Sequence, residues 1–419
     1  MNRWNKCWAM VCLLILCIGM GGCGKEERKP VTISMIHAWG GTEKDHAAMR
    51  SIYEDFEKEN PEIVLQMISM PTGKELQRKV EDLIMVGDVP DIVNFSGMGQ
   101  NQTYDFMVEN DLALNLMPYV KRNPDLAREL SEANLDDWKT MDHKLYSIAD
   151  VLTLSGGYWY NKAILEAAGV EQLPVTWEEF LQMCEKISAW SKSEQNHVEP
   201  HHISGEGYMY VLDHLLAEGN GPKNKKIPDQ ENYRQAIKIM KELYQFSALR
   251  SKEYTYLDET SMFNEGKLGI YVNGVWGAPM IHSTVETGYA LLPTFSGESM
   301  ACKSAGIGYV LSKSGNVEKQ EASVRFLKYM LSEPVQKRIL REKEQIPANP
   351  YVSLKEFASE KERLYHAVEV VQSAEHKIQV PQNLWSERQT VYFREHIIKV
   401  LSGELSEIEF GEQLGIRKE

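Results

Sequence analysis

Cysteine is scarce outside the first 23 positions. Of six cysteines in 419 residues, Cys7, Cys12, Cys17 and Cys23 crowd the N-terminus, leaving Cys184 and Cys302 for the body. A disulfide framework is thereby excluded as the basis of the fold, and a chain this long can bury a large core without one. Cationic charge is short as well. Lys plus Arg number 46 against 60 Asp plus Glu, a net charge of −14, or −16 once the first 22 residues with Arg3 and Lys6 are set aside. Nucleic-acid binding relies on Lys and Arg to neutralise phosphates, so no nucleic-acid partner is expected. The sequence has no H-E-x-x-H, no C-x-x-C and no G-x-x-x-x-G-K-[ST], which removes the zincin, zinc-ribbon and P-loop readings. The adjacent pair His201-His202 sits in an expected loop, where an exposed or capping role is favoured over metal binding. Neither an internal repeat nor a low-complexity segment is present, and no cofactor or metal is implied. With 60 carboxylates, some Asp/Glu pair will always resemble a glycosidase acid and nucleophile, so such pairs carry no information. Gly297-Glu298-Ser299-Met300-Ala301 is one residue off a nucleophile elbow and reads as chance.

What the N-terminus does have is an address. Arg3 and Lys6 precede a 14-residue apolar run over 7–20, too short to span a bilayer comfortably. Met20-Gly21-Gly22-Cys23, followed by a polar stretch to Pro30, resembles the bacterial lipobox, with Met20 where Leu is commoner. Residues 1–22 are then a signal peptide, and 23–30 a lipidated Cys23 with its tether. A seven-residue tether reaches roughly 25 Å when extended. A diacyl unit gives two-chain anchoring, stable where one chain is marginal. The expected location is the extracytoplasmic face of a cell membrane, whether the cell has one membrane or two.

Beyond the tether, residues 31–38 read as a strand ending at Trp39-Gly40-Gly41. Thr42 then offers a cap to a helix with Met49, Ile52, Tyr53 and Phe56 on one face. A strand follows at 63–68. Thr72-Gly73-Lys74-Glu75 opens a helix that Gly87 closes, and 91–95 is a short buried strand. This alternation indicates an α/β fold with a mostly parallel sheet, whose ligand crevice lies at the carboxyl ends of the strands. Thr176-Trp177-Glu178-Glu179 is a second capping box, leading Phe180, Cys184 and Ile187 onto one face. Cys184 is thus expected as a buried free thiol, with a bridge to Cys302 left open. Further helices are expected at about 232–248 and at 317–331, and strands at 268–272, 289–292 and 307–311. Residues 191–196 and 219–228 look like surface loops.

Several motifs then stand in a telling order. They are Tyr158-Trp159-Tyr160-Asn161-Lys162, Ala167-Ala168-Gly169-Val170, and Leu173-Pro174-Val175-Thr176-Trp177-Glu178-Glu179-Phe180. Met262-Phe263-Asn264-Glu265-Gly266-Lys267, Asn273-Gly274-Val275-Trp276 and Ile346-Pro347-Ala348-Asn349 follow, and Leu384-Trp385 comes last. Together they resemble family 1 extracellular solute-binding proteins, the sugar receptors of ABC importers, among them maltose-binding protein. The resemblance spans the mature chain. It implies a two-lobed periplasmic-binding-protein-like α/β fold with a hinge and an interlobe cleft. Lobe 1 would comprise 31–149 plus 307–346, and lobe 2 would comprise 150–306 plus 347–419. The crossings would fall near 149–152, 303–308 and 344–350. The implied function is capture of a carbohydrate, without catalysis, and its delivery by a monomer to ABC transporter permease subunits. Ligand shifts such a protein toward a closed form.

Sugars need flat apolar plates and fixed polar groups; covering roughly 50 Å² of a pyranose face contributes on the order of 1 kcal/mol. The resemblance points to Trp276, Trp385, Trp39 and Tyr208 as plates, with core packing as the alternative for each. It points to Glu206 as Tyr208's partner in a Glu-x-Tyr clamp. Glu43 matches an acidic sugar ligand, although helix-dipole complementarity explains it equally. Phe95 and Ser96 follow the third strand, and Asp150 at the first crossing either accepts sugar hydroxyls or pins the hinge. Where maltose-binding protein supplies charged groups after the third strand, this chain has Ser96-Gly97-Met98-Gly99, which speaks against maltose. Two other classes stand beside this reading. One is a binding protein for a polyamine, glycerophosphate or metal chelate, with the acidic charge steering a cation. The other is a secreted glycoside hydrolase.

Overall fold

The computed structural model describes residues 29–99, 101–220, 230–247, 256–378 and 385–416; the leader, Cys23 and most of its tether lie outside them. The first sheet has the order β10-β3-β1-β2. Its strands are β1 (Val31–His37), β2 (Ile63–Ser69), β3 (Ile92–Met98) and β10 (Ile307–Leu311). β1 runs parallel to β2 and β3, and β10 returns antiparallel to β3 from more than 200 residues downstream. The last pairing brings the distant segment into the first core, where Tyr309 and Phe326 meet Tyr53 and Phe56.

A second sheet, β6-β7-β5-β8, organises the other lobe. It consists of β5 (Gly157–Asn161), β6 (Glu199–His201), β7 (Leu268–Tyr271) and β8 (Thr287–Leu291). Between the lobes lies a third sheet, β11-β4-β9-β12. Its members are β4 (Val151–Ser155), β9 (Met300–Ala305), β11 (Ile346–Pro347) and β12 (His376–Ile378). Val151 and Ala305 belong to the first core, whereas Leu154, Ala301 and Ile346 belong to one in the second lobe. The same ribbon of hydrogen bonds therefore runs out of one lobe and into the other.

Local signals account for much of the helical framework. Helix Lys44–Glu59 buries Met49, Ile52, Tyr53 and Phe56, but its N-cap position is Glu43, not Thr42, and no side chain caps it. At Thr72 the hydroxyl accepts the Glu75 N–H while donating to the Glu75 carboxylate, so only half of the reciprocal box forms. The box at Thr176 is complete: Glu179 N–H donates to Thr176 Oγ1 (3.3 Å) and Thr176 N–H to Glu179 Oε2 (3.1 Å). That helix continues to Glu194, beyond the expected loop start at 191, because Gln195 rather than an earlier residue takes the left-handed conformation. Gly169 and Gly266, both at positive φ, end the helices before them as C′ residues do. Cys184 and Cys302 are both buried and free. His201 and His202 are buried, not exposed: β6 carries His201 into the core, where its Nδ1 lies 3.1 Å from Ser247 Oγ. Part of the expected 219–228 loop lies outside the described residues.

Candidate functional site

The carboxyl end of β1 delivers Trp39, half-buried, at the edge of the first lobe. Its setting is rigid. Gly40 donates to Met70 O (2.9 Å), and a Cβ there would meet the Met70 backbone at 2.8 Å, so only glycine fits. Gly41 N–H donates to His46 Nδ1 (2.9 Å), and the Arg50 guanidinium binds the carbonyls of Trp39 and Gly41. His37 accepts the Trp39 N–H (3.1 Å) and faces Ser69 Oγ (3.0 Å). Burial first, then the nearby Arg50 and His46, lower the His37 pKa to about 4, so this ring is neutral at pH 7. The His46 ring packs edge-on against the Trp39 indole, 5.2 Å between centroids. Glu43, beside His46 at 3.4 Å, is well exposed at 64%.

A closed polar network surrounds Asp150. Asp150 is fully buried; Ser96 Oγ donates to one carboxylate oxygen and Tyr309 Oη to the other, each at 2.9 Å. Tyr53 Oη lies 3.0 Å from Tyr309 Oη and accepts from Asn94 Nδ2 (2.8 Å). The Asp150 carbonyl accepts from Gln336 Nε2 (2.9 Å) and Ala348 N–H (3.1 Å), tying the start of β4 to the end of β11. Burial drives the pKa values of Tyr53 and Tyr309 far above the ordinary phenol value, so both hydroxyls stay protonated. Phe95 is buried in the first core with no exposed surface, and Ser96 is 8% exposed.

On the second lobe the loop after β7 presents Trp276, half-buried and 5.5 Å from the Tyr210 ring. The indole lies across Gly274, where a Cβ would meet it at 2.0 Å. Two buried aromatics hold the loop from behind: Trp159 Nε1–H donates to Gly274 O and Tyr289 Oη to Asn273 O, both at 3.1 Å. Tyr208 is fully buried, and Trp385, 3% exposed, packs on Phe393 in the same core. In this conformation those two rings serve packing. The side chain of Glu206 lies outside what is described. Gln102 N–H of the first lobe donates to Glu387 Oε2 of the second (2.9 Å). A groove of about 360 Å³ lies alongside, lined by Gln102, Glu387, Arg388, Val391, Tyr392 and Glu395.

The structure thus presents Trp39, Glu43 and Trp276 to the surface and encloses Phe95, Asp150, Tyr208 and Trp385. Sequence reasoning passed over Tyr210. Helical spacing carried the signal, because residues two apart point about 200° apart, so a buried Tyr208 turns Tyr210 outward. Lys343, whose Nζ lies 3.7 Å from the Trp39 ring centroid, had no local signal.

The profile of the bacterial extracellular solute-binding protein family matches residues 40–337. The chain belongs to this family. The family's members bind solutes and are not enzymes. The chain is similar to the multiple sugar-binding protein of Streptococcus mutans, 25% identical over 341 residues, covering 74% of this chain and 76% of that one. A Streptococcus pneumoniae solute-binding protein, solved in complex with the blood group A-trisaccharide, shares the fold at a TM-score of 0.76 and 22% identity. That match covers 91% of this chain and 98% of the other. A chitin oligosaccharide binding protein also has a TM-score of 0.76, at 18% identity and with coverages of 92% and 97%. These neighbours give the family fold its two lobes here. Among the described residues no helix is long and apolar enough to cross a membrane, and no group of three or more His, Cys, Asp or Glu is placed to hold a metal ion.

Proposed function

We propose that this family member is a lipid-anchored extracytoplasmic receptor that captures a carbohydrate, most simply an oligosaccharide, between its lobes and passes it to an ABC importer permease. The observation that carries the reading is a pair of half-buried indoles, Trp39 on one lobe and Trp276 on the other, each fixed by glycine contacts and backbone hydrogen bonds. Such plates match the C–H faces of pyranoses, and a few of them with polar clamps reach micromolar affinity. Relatives named as sugar-binding proteins support the same ligand class. In this reading Trp39, Trp276 and Tyr210 are plates, Glu43 is a polar clamp, and Ser96 with Asp150 forms the polar floor at the hinge.

The test is a thermal-shift screen of the mature protein against raffinose, chitotriose, the blood group A-trisaccharide, spermidine and glycerol 3-phosphate, with calorimetry on any hit. A saccharide is expected to stabilise the protein and to be recovered unchanged. Stabilisation by spermidine alone would transfer the reading to a cationic solute drawn by the −16 charge, and turnover of the sugar would transfer it to an enzyme. For the anchor, Cys23→Ser should move the protein from the membrane fraction to the medium or periplasm; retention in the membrane defeats lipidation at that residue.

A further inference from the structure

Lys343 is the one lysine or arginine in the buried class among the described residues, at 7% exposure. It ends a π-helical turn, Ile339–Lys343, which packs against helix Lys44–Glu59 just before β11. π-Turns inside helical segments are rare and concentrate at functional positions. The ammonium makes no hydrogen bond to any described residue. What faces it is the Trp39 indole, 3.7 Å from Nζ to the ring centroid, with the carboxylates of Asp150 and Asp45 within electrostatic range. Burial lowers the Lys343 pKa against the pull of both carboxylates, so the fold holds this charge at a cost. A methionine of similar length would fill the same space without that cost.

The next residue points the other way. Glu344 has φ of 57°, a left-handed conformation unusual for a residue with a side chain, and it pairs with Lys361 at 2.5 Å. Consecutive residues at the third crossing therefore grip opposite partners: Lys343 reaches Trp39 at the end of β1, and Glu344 reaches Lys361 beyond β11.

We propose that Lys343 is a positioning residue for ligand binding, its ammonium seated on Trp39 so that this plate is held at a set angle toward the ligand. A cation on an indole face is a directional contact, strongest when desolvated. Lys343 and Trp39 both belong to the first lobe, so the contact holds the indole at one angle, ready for a sugar, whatever the arrangement of the lobes. The inference rests on Trp39 being a ligand plate.

Lys343→Met and Lys343→Arg test it in the full mature protein labelled with 5-fluorotryptophan, the Trp39 resonance being identified by its loss in Trp39→Phe. In the ligand-free protein Lys343→Met should displace or broaden the Trp39 resonance, and Lys343→Arg should bring it back toward the wild-type position. For whichever of raffinose, chitotriose or the blood group A-trisaccharide binds, Lys343→Met should weaken binding about tenfold while the melting temperature holds or rises. Lys343→Arg should recover affinity to within about threefold. An unmoved resonance overturns the proposal. So does a fall in melting temperature with affinity unchanged, the pattern of a purely structural lysine. If none of the sugars binds the wild type, the carbohydrate reading fails, and the fluorine spectra still decide whether Lys343 controls Trp39.

Discussion

Trp276→Ala separates a ligand plate from a core residue. The indole is half-buried and lies across Gly274, with Tyr210 as its aromatic neighbour. The loop beneath it is held by Trp159 on Gly274 O and Tyr289 on Asn273 O, bonds in which Trp276 takes no part. Truncation should therefore leave the backbone where it is. One pyranose face covers roughly 50 Å² of indole, on the order of 1 kcal/mol at 25 cal/mol/Å². Ring–sugar complementarity and loss of the Tyr210 partner bring the total to about 1–3 kcal/mol, roughly a five- to 150-fold loss of affinity. Calorimetric titration with the best saccharide from the screen measures it, and the melting temperature of the empty protein should move little. Trp159→Ala supplies the contrast. That side chain is 1% exposed, so its removal should cost about 3–5 kcal/mol of stability. If Trp276→Ala keeps its affinity while the empty protein melts several degrees lower, the indole is packing and the site has been placed wrongly.

Asp150→Ala should destabilise the empty protein by about 3–5 kcal/mol, because it strands the Ser96 and Tyr309 hydroxyls and leaves Lys343 without its buried carboxylate. Urea unfolding measures this, and a loss below about 1 kcal/mol would show that the network does not organise the hinge. Acid should weaken the fold through three buried neutral histidines. Burial lowers the pKa values of His37 and His214 to about 4 and that of His201 to about 3, against an ordinary 6.5. The unfolded chain takes up these protons first, so the stabilisation is complete above about pH 6.5 and is lost as pH falls toward 4 and then 3. His37 and His214 account for roughly 3 kcal/mol each at most, and His201 for roughly 5 kcal/mol. Urea midpoints between pH 7 and 4 should fall, and a flat profile would mean these rings find charge-stabilising partners in the folded state.

Much of the local framework was legible because its causes lie within a few residues of one another. The Thr176–Glu179 box, the stop at Gly169 and the stripe of Met49, Ile52, Tyr53 and Phe56 need only helical spacing and cap chemistry. Where the cap had a nearby rival, the reading slipped: Thr42 yielded the N-cap position to Glu43 because the chain enters the helix one residue later. The third sheet had no such local cause. β4 pairs with β9, some 150 residues downstream, and with β11, nearly 200 downstream, and neither short segment announces its partner.

The candidate site divides along the same line. The ordered motifs from Tyr158 to Trp385 determined the family and hence the two-lobed fold, since they record which residues the fold requires in which order. The same resemblance offered Trp276, Trp385, Trp39 and Tyr208 alike as aromatic plates. Which aromatic faces outward was decided by packing. Tyr208 and Tyr210 are the same residue type two places apart, and only the docking of their helix makes one core and leaves the other half-exposed. Lys343 is the plainest case. In sequence it is one charge among many in a solvated-looking run, and only the return of the chain to the end of β1 sets it against Trp39 and Asp150. Short-range sterics and capping are written locally; burial and long-range charge contacts come into being only when distant segments meet.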